Sequence, residues 1–216
     1  MRRIFLSALV LLIATSGMAQ IEAAKRVFSS PNLDREKAKM RTVAILPFNV
    51  TVSYKKLPKN MTLDMVKDEE EKARPEYQTG MYTYLLRKAD KFSVTFQDPN
   101  RTNALLKKAG FYKKDELDIV LADSLCALLG VDGILKCDWN YGKTSSEAGA
   151  LAKAVIFGAA ATTGSGALTL NLYGKNDGEL LWRFFKEMNE GVFQDANDTM
   201  ERMMRKVGRN FPFELD

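Results

Sequence analysis

Leu168–Met188, LTLNLYGKNDGELLWRFFKEM, is the stretch whose reading decides the fold. Leu168, Leu170 and Leu172 alternate with Thr169, Asn171 and Tyr173, which gives a strand one apolar face. Leu180–Phe185 is apolar on both faces, the pattern of a strand covered on two sides. Between the two runs, Asn176-Asp177-Gly178 supplies the reversal. Gly178 can take the positive φ that closes such a turn, and Asp-Gly between apolar runs is a strong local signal for a β-hairpin. The rest of the chain is expected to supply strands that pair with this hairpin and helices that cover it.

Upstream of the hairpin, Val131–Tyr141 reads as a strand, preceded by a helix with an inward stripe of Leu117, Val120, Leu121, Ser124, Leu125 and Leu128 that Gly130 ends. Another helix starts at Asp98-Pro99, an N-cap followed by a proline at the first helical position, and stops at Gly110. The segment KFSVTF, with Phe92, Val94 and Phe96 alternating, reads as a strand. It is reached from Thr42–Phe48, TVAILPF, through a helix marked by Tyr77, Met81, Tyr84, Leu85 and Lys88, so the chain begins with a βαβ unit. Val52–Pro75 is polar, and its charge run Lys67–Arg74 reads as a solvated helix face or loop. Downstream, Met200, Met203, Met204, Val207 and Phe211 fall at helical spacing, so Asp195–Asn210 is an amphipathic helix with methionine as core filler. The fold class expected is α/β of the α+β kind: a mixed sheet with a βαβ start, a C-terminal hairpin and covering helices, in one domain over residues 42–216.

Thr144–Gly166 is the compositional outlier, built almost wholly from small residues. If helical, it repeats Ala150, Ala154 and Gly158 every fourth position, a spacing that permits close backbone approach in membranes and in tight soluble packing. A buried or edge-packing segment, a protein contact and membrane insertion all remain open for it.

At the amino terminus, Met1-Arg2-Arg3, the apolar run Ile4–Ala14 and the small residues before Ala19 have the layout of a secretory signal peptide, with cleavage expected after Ala19. The alternative, a membrane anchor, needs roughly 20 apolar residues and the run is shorter. Residues 20–41 read as an extended or loosely ordered lead-in. With no cysteine near the cleavage point, a lipid-anchored amino terminus is not expected, and the localisation expected is periplasmic or otherwise exported. The net charge of +5 comes from 32 Lys and Arg against 27 Asp and Glu. Cleavage would lower it by two, and the basic residues are interleaved with acids, so nucleic-acid binding is not indicated. Cys126 and Cys137 could form one disulfide in an exported protein, but their expected positions favour two separately buried thiols. Histidine is absent, which removes Ser-His-Asp and Cys-His nucleophile schemes and His-ligated zinc. The acidic groups Asp68-Glu70 and Asp115-Glu116-Asp118 stand without a phosphate-cradling loop or metal-ligand spacing, and no cofactor or metal is expected.

The pieces VAILPF, KFSVTF, LGVDGIL at Leu129–Leu135 and NDGELLW at Asn176–Trp182, in that order, resemble the bacterial envelope proteins related to the amino-terminal domain of TolB, to CsgG and to LpoB. The resemblance covers about Thr42–Lys186 and rests on structural signatures. It implies a non-catalytic cell-envelope accessory or scaffold protein acting through protein–protein contacts. The alternatives are an oligomeric, membrane-associated secretion or transport subunit with its contact at Ala150, Ala154 and Gly158, and an enzyme. A pore built like that of CsgG is disfavoured, because ALAKAVIFGAAATT lacks the apolar–polar alternation of transmembrane strands.

Overall fold

The computed structural model describes residues 25–143, 164–190, 196–207 and 210–215. In chain order the elements are β1 (Lys25–Ser29), α1 (Leu33–Lys37), β2 (Thr42–Ile45), β3 (Asn49–Tyr54), α2 (Leu63–Leu86), β4 (Thr95–Phe96), α3 (Pro99–Ala109), α4 (Lys114–Asp118), α5 (Ala122–Leu129), β5 (Gly133–Lys143), β6 (Gly164–Gly174), β7 (Leu180–Glu190) and α6 (Ala196–Val207). The strands form one mixed, seven-stranded sheet in the order β1-β7-β6-β5-β2-β4, with β3 also on β5. Parallel pairing joins β2 to β4, and both β2 and β3 to β5. The β5–β6, β6–β7 and β1–β7 pairs are antiparallel.

The hairpin forms around the expected turn, with Leu168 opposite Lys186, Leu170 opposite Phe184 and Leu172 opposite Trp182. Asp177 and Gly178 both have positive φ, 75° and 63°. β7 is not covered on two sides, however. Trp182 and Phe184 are buried on one face while Arg183 on the other is exposed. The extra apolar residue, Leu181, is absorbed by an irregularity beside Leu172/Tyr173 and is buried with the rest.

β2 and β3 lie end to end along the same edge of β5. Ile45 pairs with Leu135 and Asn49 with Asp138, so the chain at Leu46-Pro47-Phe48 spends one residue more than β5 does. That surplus swaps the faces: Val43 and Ile45 point into the same layer as Phe48 and Val50, while Ala44 and Leu46 point into the other. The gap in the ladder is closed by α2. Arg74 Nε donates to Phe48 O (3.1 Å), Phe48 N donates to Arg74 O (3.3 Å), and Gln78 Nε2 donates to Ile45 O (2.7 Å). Arg74 and Gln78 are therefore buried because they satisfy interior backbone groups that no strand reaches. The charge run that reads as solvated lies in the front half of a 24-residue helix, and the last residue of that run, Arg74, is interior.

Two apolar layers sandwich the sheet. Met81, Tyr84 and Leu85 of α2 and Met200, Met203, Met204 and Val207 of α6 close the first over Trp139, Trp182 and Phe184. Leu106 of α3, Leu117 of α4, and Leu125, Cys126 and Leu129 of α5 close the second over Ala44, Leu46 and Ile134. Two further expectations are corrected. The expected helix through Leu117–Leu128 breaks between α4 and α5, which resets its phase: Leu125, Cys126 and Leu129 turn inward while Leu121 is left exposed. The strand expected at Phe92–Phe96 shortens to Thr95–Phe96, since Phe92 bridges to Glu214 and Ser93 N donates to Phe213 O. From Lys25 onward the lead-in carries β1 and α1. β1 is hydrogen-bonded along β7, Ser30 Oγ (2.5 Å) and Asn32 Nδ2 (3.0 Å) donate to Glu179, and Asn176 Nδ2 donates to Glu36 (2.8 Å), so the segment clasps the hairpin tip.

Candidate functional site

Near α4 the second layer stops being apolar and opens into a pocket of about 170 Å³. Its floor is sheet. Asn49 faces Asp138 across the β3–β5 pair, and Asn171 faces Lys136 across the β5–β6 pair, so these four side chains share one face. Lys114 and Asp118 of α4 line the rim and pair with each other at 3.6 Å. Asn49 Nδ2 donates to Asp138 Oδ1 at 3.1 Å and Asn171 Nδ2 donates to Oδ2 at 3.4 Å. Both asparagines thus turn their amide nitrogens toward one carboxylate, and the carbonyl oxygens Asn49 Oδ1 and Asn171 Oδ1 are left buried without a partner. Asn171 is only 7 % exposed.

Burial sets the electrostatics here. It pushes the Asp138 carboxyl above its ordinary value, with the Asp118 charge adding to the shift and the Asn49 amide opposing it. Burial also lowers the Lys136 ammonium, against the pull of Asp118 and Asp138, and raises the Tyr173 hydroxyl. Lys136 Nζ has a long bond to Val120 O, 3.4 Å. The thiol of Cys137 faces the other way, into the first apolar layer, where burial pushes it well above the ordinary thiol range. The arrangement holds acceptors and cations ready for hydrogen bonding. A binding pocket is what these residues can make.

A few residues before the pocket, the residue that leads into β5 is a carboxylate of the opposite kind. Asp132 Oδ2 accepts from Arg41 N (2.8 Å) and Thr42 N (3.2 Å), and Oδ1 accepts from Lys175 Nζ (2.5 Å). Burial pushes this carboxyl up, but Lys175 and the two backbone N–H groups together outweigh it and hold it below its ordinary value. Asp132 of the LGVDGIL segment is thereby a clamp that ties β2, β5 and the hairpin turn together.

A second candidate surface is the edge of the sheet. Among the described residues β1 ends the strand order, all five of its residues are exposed, and Val27 and Phe28 are 43 % and 48 % exposed. At the opposite edge, beside the two-residue β4, a cleft of about 380 Å³ is lined by Tyr82, Leu85, Leu86, Phe92, Val94 and Phe96.

Of the residues singled out from sequence, Ala150, Ala154 and Gly158 lie outside the described residues, as do residues 1–19. From the small-residue stretch only Gly164–Gly166 is described, as the start of β6. Cys126 and Cys137 are both free and buried, and they belong to opposite layers of the sheet. Asn176, Asp177 and Gly178 form the turn and lean on the N-terminus of α5: a Cβ on Gly178 would stand 3.3 Å from Asp123 N. The pocket residues Asn49, Lys136, Asp138 and Asn171 escaped sequence reading. Lys136 and Asp138 look like the wet side of an alternating strand, and only the register shows that Asn49 and Asn171 meet them.

No protein-family model and no curated protein matches the chain. Among solved structures, the lipoprotein GNA1162 from Neisseria meningitidis is similar with a TM-score of 0.47 and 11 % identity, over 79 % of this chain and 96 % of that one. The PelC dodecamer from Paraburkholderia phytofirmans is similar with a TM-score of 0.43 and 12 % identity, over 89 % and 99 %. The C-terminal domain of LpoB from Salmonella enterica has a TM-score of 0.34 and 9 % identity, over 69 % and 83 %. No helix among the described residues is long and apolar enough to cross a membrane, and no group of three or more His, Cys, Asp and Glu among them is placed to hold a metal ion.

Proposed function

We propose that the protein is an exported, non-catalytic accessory or scaffold protein of the cell envelope that works by contact with another protein. The observation that carries this reading is β1: an exposed strand at the end of the sheet, with Val27 and Phe28 presented to solvent. An edge strand offers a row of backbone donors and acceptors to an added strand, and alternate side chains give such a contact its selectivity. Lys25 and Arg26 put charge at one end of that edge, the usual protection against indiscriminate pairing. The signal-like amino terminus and the order VAILPF, LGVDGIL, NDGELLW support the envelope assignment.

Placing a photo-crosslinking benzoylphenylalanine at position 28 tests the reading in cells. A discrete adduct that carries an envelope protein is expected, and its absence after irradiation sinks the proposal for this edge. An adduct of twice the chain's own mass would move the reading to the self-assembling alternative.

A further inference from the structure

The pocket beneath α4 is unfinished in a way that specifies its occupant. Two carbonyl oxygens, Asn49 Oδ1 and Asn171 Oδ1, are buried without partners beside the Asp138 carboxylate. Their orientation follows from that carboxylate, which when ionised only accepts, so both amide nitrogens turn toward it. A buried acceptor left unmade is costly, and here two belong to side chains that line one pocket. The missing group is therefore a donor. Charge narrows it further. Lys114, Lys136 and Arg74 line the pocket against Asp118 and Asp138, so a simple cation gains little from the lining as a whole. Arg74 is committed to Glu71, Phe48 O and Tyr112 O. Lys136 Nζ makes a long contact of 3.4 Å to Val120 O, and Lys114 makes the 3.6 Å pair with Asp118. Acceptors and cations in one pocket suit a molecule that carries both charges. The volume, about 170 Å³, holds a handful of heavy atoms, since a water takes about 30 Å³ of liquid.

We propose that this pocket binds a small zwitterionic α-amino acid, its ammonium donating to Asn49 Oδ1, Asn171 Oδ1 and Asp138 and its carboxylate facing Lys136 and Lys114. This inference stands apart from the contact at β1 and can fail without it. The test is a titration of the 15N-labelled protein, recovered after export, followed by amide chemical shifts. Four probes separate the parts: glycine carries both groups, glycinamide only the ammonium, acetate only the carboxylate, and trimethylglycine both charges without an N–H. Saturable shifts at the amides of Asn49, Asp138 and Asn171 are expected with glycine, weaker ones with glycinamide, and none that saturate with acetate or trimethylglycine. Asn171→Leu should weaken glycine about tenfold while the remaining spectrum stays dispersed. Lys136→Gln should weaken glycine and leave glycinamide unchanged. A pocket that holds only water gives no saturable shift and overturns the proposal. So does trimethylglycine acting as well as glycine, or glycinamide binding as tightly as glycine.

Discussion

The two faces of β5 carry the chain into different environments. On one, Leu135, Cys137 and Trp139 are all buried in a layer rich in aromatic and methionine side chains that runs from the hairpin to α6. On the other, Ile134 is buried among leucines, but the next two residues on that face are Lys136 and Asp138, and the layer ends in a polar pocket. The same strand thus builds a closed core on one side and an open set of hydrogen-bonding groups on the other. What separates them is satisfaction: the closed face needs nothing more, whereas the open one keeps two acceptors unused. Stability should therefore respond most to changes on the closed face, and pH dependence should come from the open one.

The largest expected effect is on the closed face. Trp182→Ala removes an indole that is 1 % exposed and packs 5.9 Å, centroid to centroid, from Phe211, and it should cost about 3–5 kcal/mol by denaturant titration. Next comes Gly166→Ala. A Cβ there would run into the Trp139 ring, so the indole must leave its place, at about 1–3 kcal/mol; tryptophan fluorescence and melting temperature both read this out. Gly178→Val, at the hairpin tip, is expected to lose at least about 1–2 kcal/mol from left-handed backbone alone, with the fold retained at 25 °C. An unchanged melting temperature would mean the turn adapts.

The smallest effect has a sign that distinguishes the two aspartates of this strand region. Asp132 is held below its ordinary carboxyl value when folded, so its stabilisation is present at neutral pH and is lost as the pH falls through the folded value. Asp138 is pushed above its ordinary value, so its charge is a cost at neutral pH that is relieved as the pH falls through the folded value. The melting-temperature advantage of the wild type over Asp132→Asn should shrink on acidification, while its standing relative to Asp138→Asn should improve. Parallel slopes for the two variants would erase the distinction between a satisfied and an unsatisfied carboxylate.

The parts of the fold that are legible in the sequence are those whose causes are local. The Asp177-Gly178 turn, the Asp98-Pro99 start and Gly110 stop of α3, and the methionine stripe of α6 each declare themselves within a few residues. β3 does not, because only Val50 of its six residues is buried and its strand character comes from pairing with β5. Nor does the front half of α2, whose polar sequence hides the roles of Arg74 and Gln78 at the break between β2 and β3. β1 has no buried face at all, and its place depends on β7, over 150 residues away. The candidate site was illegible for the same reason: Asn49, Asp138 and Asn171 meet only once three strands are in register.

That last pairing of the sheet also sets an order of events in time. Lys25 can meet Lys186, and Ser29 can meet Trp182, only after nearly the whole chain has been synthesised. Ser30 and Asn32 likewise wait for Glu179. Contacts of such sequence separation form late because a very long loop must close before they give any return. Among the described residues the first strand made is thus the last one docked, and a nascent chain that has not yet reached Glu190 lacks the full edge on which β1 docks.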